Sequence, residues 1–257
     1  MTRWGQRVRA SWSAWWQVVL LAAQILVLAV LPSSYRRGEQ RHAVLLNLYQ
    51  ATGPLLTWFL VLSALISVVL IRIVVATAYS YGLSQYALEV LVRTLVLELI
   101  PLYAALFVAL RYAMPSAQRV RRLLAAQQQQ GIEHANQVLL RAELLPRALA
   151  AVFSVLLLAA ISCVVALVLA YLGVYGFNMA GLPSYTRMFG QVFSPSVTMV
   201  FVLKTLFFSL AVALIPMAAG LYDTGERAQP DSELGGLARM FAVLLLIEVG
   251  SLVGNYY

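Results

Sequence analysis

Charge is scarce in this sequence, and the residues that carry most enzyme chemistry are scarcer still. Its 257 residues include ten acids, two histidines, one cysteine and one lysine, against 17 arginines. A lone cysteine, Cys163, excludes an intramolecular disulfide and a zinc site built on several thiolates. His42 and His134 have neither metal-ligand spacing nor a nearby Ser/Asp set, so no catalytic group gathers around them. No stretch reads G-x-x-x-x-G-K-[ST], so any ATP hydrolysis that serves this chain belongs to another polypeptide. The chain is expected to bind no cofactor and no metal and to be no enzyme.

What the chain has in excess is hydrocarbon. It is 62% hydrophobic and 11% charged, with a mean hydropathy of +0.83. Soluble domains are typically about 45–50% apolar and about 25% charged. The composition is that of a multi-span membrane protein with no room for a sizeable soluble domain. In a soluble chain a net charge of +8 would raise nucleic acid as a partner. Here arginines flanking spans on the cytoplasmic side account for it, and no nucleic-acid partner is expected.

About 20 apolar residues in a helix cross a bilayer core of roughly 30 Å. Five stretches qualify: about Leu55–Ala78, Leu88–Ala113, Ala148–Val174, Thr198–Leu221 and Leu237–Val253. A sixth, Trp12–Leu31, is ambiguous. Arg3, Arg7 and Arg9 precede it, and Arg36, Arg37 and Arg41 follow it. If it stays on the cytoplasmic face, 14 arginines lie inside and only Arg187 outside, while Arg72, Arg93 and Lys204 fall within spans. That asymmetry favours five spans, with the N-terminus cytoplasmic and the C-terminus outside. Trp12, Trp15 and Trp16 would then anchor an interfacial helix; a true crossing that ignores the bias stays open. Met1–Pro32 has the outline of a signal peptide. Its apolar run is long for one, however, and Pro32-Ser33-Ser34 is a poor cleavage site, so the segment is expected to be retained.

Three connections are short: Tyr79–Tyr86, Tyr175–Ser196 (with a short helix over Tyr185–Val192) and Asp223–Gly236. Gly53-Pro54 reads as the start of the first span. The longest connection, Tyr112–Pro146, opens on a helix-start signal at Met114-Pro115-Ser116. Arg119, Arg121, Arg122, Leu123, Leu124 and Gln127–Gln130 follow. A helix of this kind either lies on anionic headgroups or docks into a cytoplasmic partner.

Ionisable residues within spans are costly and are functional candidates by default. Glu98 lies in an almost uncharged run and has no basic residue at i±3 or i±4, so any partner must come from another helix or chain. Lys204 is the obvious one, although it could instead snorkel to the outer headgroups. Arg93 has a local alternative in Glu89, one turn away. Pro101, beside Glu98, marks a hinge, and Pro216 a bend. Tyr79 and Tyr81 read as interface aromatics.

Gly82-Leu83-Ser84-Gln85-Tyr86 ahead of Glu98 and Pro101, Pro146-Arg147 at the start of the third span and Leu203-Lys204-Thr205 in the fourth, taken in that order, resemble the MlaE/YrbE family of bacterial ABC-transporter permeases, which work with mammalian-cell-entry (MCE) proteins to move lipid between membranes. Gly82-Leu83-Ser84-Gln85-Tyr86-Ala87-Leu88-Glu89-Val90 leads to Glu98 and Pro101, where the family has Arg-Glu-Leu-Gly-Pro, and Arg111 follows at the family's spacing. Pro146-Arg147-Ala148-Leu149-Ala150, Leu203-Lys204-Thr205-Leu206-Phe207-Phe208, Ala219-Gly220-Leu221-Tyr222-Asp223 and Gly235-Gly236-Leu237-Ala238-Arg239 match in turn, with Glu248 at a late carboxylate. The likeness runs from about Ala43 to the C-terminus. Leu97 replaces the family's Arg, and Ile100 its Gly. Arg119 and Arg121 fall where the family has Glu and Gly, and Gln127-Gln128 where it has Glu-Gln.

The resemblance implies an all-α integral membrane protein of the bacterial inner membrane. It would have five transmembrane helices, an N-terminal interfacial helix region over 1–42, and a permease domain over 43–257 that includes a cytoplasmic coupling helix. It implies a lipid site lined by Leu70, Val74, Ala78 and Tyr81, with Arg93, Glu98, Pro101 and Lys204 as polar or gating residues. Coupling to an ATP-binding cassette subunit, which would hold ATP and Mg, would run through Arg119, Val120, Arg122, Leu123, Leu124, Gln127, Gln128 and Glu133. The implied partners are that ATPase, an MCE-domain periplasmic protein, a small STAS-type cytoplasmic protein, lipid, and a second copy or paralogue. The altered coupling segment motivates an alternative: a non-transporting scaffold, or the degenerate half of a heterodimer, that assembles an MCE complex.

Overall fold

Long runs of Leu, Val and Ala can satisfy their backbone without water only by coiling into helices, and every regular element among the described residues is helical. The computed structural model describes residues 15–16, 18–28, 38–83, 86–129, 143–222 and 230–256. Helix α1 covers Val18–Leu28, and the remainder of the Trp12–Leu31 stretch lies mostly outside the described residues. Then come α2 (Gly38–Ser80), α3 (Ala87–Leu91), a π-helical segment (Val92–Leu99), α4 (Ile100–Val108), a second π segment (Ala109–Ala113) and α5 (Met114–Gln129). After these follow α6 (Leu145–Tyr175), a 3₁₀ turn (Met179–Gly181), α7 (Leu182–Val192), α8 (Pro195–Tyr222) and α9 (Pro230–Tyr256).

Five helical runs are long and apolar enough to cross a membrane: Val44–Ser80, Ala87–Leu123, Leu145–Tyr175, Pro195–Ala219 and Gly235–Gly254. The count agrees with the sequence, but the lengths do not. The first two runs have 37 residues each, about 55 Å of helix against a core of roughly 30 Å. Pro54 lies inside α2 instead of opening it, because apolar residues continue back to Val44 and a membrane helix tolerates one missing N–H. The basic segment expected as a separate helix from Met114 is instead continuous with the second span.

Two glycines end helices where a side chain would be strained. Gly82 has φ +69°, and Leu83 N–H to Ala78 O (2.8 Å) with Gly82 N–H to Tyr79 O (3.2 Å) closes a Schellman motif on α2. Gly176, at φ +66°, gives its N–H to Leu172 O at 3.0 Å and caps α6. The short helix expected over Tyr185–Val192 is present as α7, one turn longer at its start.

The chain divides into two compact units. One gathers residues 1–52, 108–154 and 209–243. In it the Thr52 and Ser154 hydroxyls bond at 2.8 Å, Tyr112 donates to Asn47 Oδ1 at 3.4 Å, and Arg147 pairs with Glu143 at 2.5 Å. The other gathers 53–107, 155–208 and 244–257. There Phe59 packs on Tyr103 and Phe107 with ring centroids 5.7 and 5.0 Å away, and Ser63 bonds Tyr103 at 2.9 Å. In the same unit Gly173 of α6 lies so close to Ile71 of α2 that a Cβ would collide with its methyl group. The Tyr185 hydroxyl of α7 donates to Leu167 O at 3.0 Å, and burial pushes its phenol above the ordinary tyrosine range.

Candidate functional site: a buried ion cluster

The second unit holds the least expected local geometry, and Pro101 marks its edge. From Val92 to Leu99 the backbone follows the wider π register, and Ile100 N–H reaches back to Leu95 O. π segments inside α-helices are rare and occur often at functional sites. The wider turn carries Glu98, whose residue is only 7% exposed.

An isolated carboxylate at that depth would shed its charge or force a rearrangement. This one is paired. Lys204 of α8 donates from Nζ to Glu98 Oε2 and to the backbone carbonyl of Leu97 at 3.3 Å. The same ammonium lies 2.9 Å from Glu248 Oε2 of α9. That is an ion-pair distance. The Phe208 ring centroid is 5.7 Å from Nζ, within cation–π reach. Three helical runs thus place two carboxylates around one ammonium. Side-chain exposure is 1% for Lys204, 9% for Glu98 and 14% for Glu248. The lysine is the most enclosed of the three.

The expected pairing of Glu98 with Lys204 is present, and Lys204 does not reach outward to headgroups. Arg93 does not join the cluster: its Nε bonds Glu89 Oε1 at 3.1 Å, one turn back on its own helix. Pro101 is buried two residues beyond the π segment. Leu70, Val74 and Ala78 form a half-exposed stripe along α2, and Tyr81 is exposed beyond its end.

On α5, Arg119 and Arg122 are exposed, Leu123 is 41% exposed and Val120 is fully buried, so Val120 packs inside its unit and is not on offer to a partner. Leu124, Gln127 and Gln128 continue that helix, and Glu133 lies outside the described residues. No group of three His, Cys, Asp or Glu that could hold a metal occurs among the described residues.

Glu248 was noted in the sequence only as a late carboxylate. The signal that singled out Glu98, an acid in an otherwise uncharged apolar run, applies to it equally. The Leu97 carbonyl left no such trace.

Five apolar helical runs with compensated charges held inside them define a polytopic integral membrane protein, and one whose ionisable groups are placed by tertiary contact. A family model described as Permease MlaE matches residues 44–252. The chain belongs to the MlaE permease family: it is a permease of an ABC transporter, a transport subunit that does not itself catalyse. No curated protein matches the chain.

Proposed function

We propose that this permease moves phospholipid, or a related lipid, between membranes, and that the Glu98–Lys204–Glu248 cluster is its polar contact for the headgroup. The supporting observation is the cluster itself. Burying three ionisable side chains in apolar helices costs several kcal/mol per ion before pairing repays it, which a merely structural bundle could avoid with leucines. Because Lys204 is more enclosed than either acid and is matched by two carboxylates, a headgroup with hydrogen-bond donors suits the cluster better than a bare anion. Acyl chains would lie along the half-exposed stripe of Leu70, Val74 and Ala78, near Tyr81. Arg93, committed to Glu89, is left out of the headgroup contact.

Energy would come from a separate ATPase that carries ATP and Mg. It would press on α5 through Arg119, Arg122 and Leu123, with Leu124, Gln127, Gln128 and Glu133 further along the same segment. The family supports an ATPase partner. An MCE-domain protein, a STAS-type protein and a second permease copy or paralogue complete the proposed assembly, in a bacterial inner membrane with the N-terminus cytoplasmic.

The test is to purify the tagged chain with its co-expressed neighbours and reconstitute it in proteoliposomes. ATP-dependent transfer of isotopically labelled phospholipid to an acceptor is then measured. The wild type is expected to transfer lipid and Glu98→Gln to lose most of the rate. An assembly that forms normally but transfers no lipid with ATP would instead favour the scaffold reading, which the basic α5 segment motivates.

A further inference from the structure

We propose that Pro101 is a positioning residue for Lys204: it withholds a backbone N–H where the helix returns from the π to the α register, so that two adjacent carbonyls there are served by side chains from other helices, and one of these is the lysine. In a regular α-helix the amide of residue 101 would bond Leu97 O, four residues back; in the π register it would bond Val96 O, five residues back. Proline has no such hydrogen. The π ladder runs up to Ile100, whose N–H takes Leu95 O, and the next rung, to Val96 O, cannot form. Residue 101 could have served one of these carbonyls and the return to the α register passes over the other, and both have donors from elsewhere. Cys163 of α6 gives its thiol to Val96 O at 3.8 Å, and Lys204 of α8 gives its ammonium to Leu97 O at 3.3 Å.

A buried backbone carbonyl in a membrane helix is expensive to leave unpaired, so a gap in the ladder calls for a donor. The lysine answers it with one of three N–H bonds and directs another at Glu98. The chain's only cysteine and only lysine thus stand at consecutive carbonyls. Pro101 therefore fixes where the ammonium sits in addition to any bend it imposes. This inference rests on hydrogen-bond geometry and does not depend on the headgroup reading; either can fail without the other.

One lysine and one cysteine also make the test clean. With ¹⁵N-labelled lysine, the full-length chain in lipid nanodiscs gives a single side-chain Nζ resonance. Pro101→Ala restores an N–H that, in the α register that begins at Ile100, competes for Leu97 O. It is expected to shift that resonance and to speed exchange of the Nζ protons by roughly fivefold or more, the factor that corresponds to one lost hydrogen bond. Inserting the α-hydroxy analogue of alanine at position 101 removes both the ring and the N–H, and is expected to keep the wild-type resonance. Pro216→Ala, in the other unit, is expected to leave it unchanged.

An ester that behaves like alanine, an alanine variant identical to wild type, or an equal shift from Pro216→Ala would each overturn the proposal. A measurement on the unaltered protein covers the case in which Pro101→Ala does not fold. The single S–H stretch should lie below that of a thiol in alkane, as a thiol bonded to Val96 O requires; a band at the free position would also overturn it.

Discussion

Glu89 and Glu98 lie on the same continuous helical run, and each is paired with a base, yet the two pairs have little else in common. Glu89 finds Arg93 one turn along its own helix, at 3.1 Å, with the two side chains 38% and 27% exposed. Glu98 finds Lys204 across 106 residues of sequence, and both side chains are almost entirely enclosed. The first pair forms wherever the helix forms, exchanges with solvent and is screened by salt. The second exists only when two separate helical runs are in register, with Glu248 of a third beside the same ammonium, and it concentrates charge where water cannot dilute it. Equal chemistry at two depths therefore has different consequences: the outer pair solubilises a helix end, and the inner one makes the positions of α8 and α9 depend on a single ammonium.

The sharpest way to break the comparison is to remove that ammonium. Lys204→Met leaves two carboxylates enclosed without compensation and is expected to cost about 3–5 kcal/mol, read as a large fall in unfolding midpoint in detergent. Glu98→Gln keeps the shape and loses the charge-assisted bond, for about 1.5–3 kcal/mol. Glu248→Gln should cost less than Glu98→Gln, near ~1 kcal/mol, because its side chain is the more exposed of the two acids. If these two glutamine variants ranked the other way, Glu248 would be the main counter-ion.

Outside the spans, Tyr185→Phe removes the bond to Leu167 O and is expected to cost about 1 kcal/mol. The raised Tyr185 phenol also fixes a sign. Its contribution is present below the ordinary tyrosine pKa and is lost as pH rises through the higher folded value, so the wild type should show an alkaline loss of stability that Tyr185→Phe lacks. Smallest of all, Arg93→Met should change stability by less than ~0.5 kcal/mol, and raising the salt should erase the difference. A larger effect would mean that Arg93 has a function hidden behind its pairing with Glu89.

The two pairs also mark how far the sequence can be read. Periodicity and spacing are local, so five spans, the α7 helix and the Glu89–Arg93 pair were all visible in the chain. Glu98 stood out because charge in a hydrocarbon-length run is rare, and Lys204 because it is the only lysine and lies within a span. Glu248 carried the same signal, an acid alone in an apolar run, and was passed over as a site residue. The π register, the carbonyls at Val96 and Leu97 and the burial of Val120 arise from packing between helices, and no local pattern encodes them. Span lengths were underestimated for a related reason: apolar residues continue back past Pro54 to Val44, and beyond Ala113 the helix runs on without a break into the basic segment expected as a separate helix.

The account turns on whether the buried charges serve transport or only hold the helices together, and one variant separates the two. Glu98→Gln, Lys204→Met and Glu248→Gln in a single chain remove all three charges at once. Removing the ion group as a whole leaves no carboxylate enclosed without compensation, so the variant should fold with an unfolding midpoint above that of Lys204→Met alone. We predict that it folds, assembles with its ATPase and has lost ATP-dependent lipid transfer. Transfer at the wild-type rate by this uncharged chain would contradict the account.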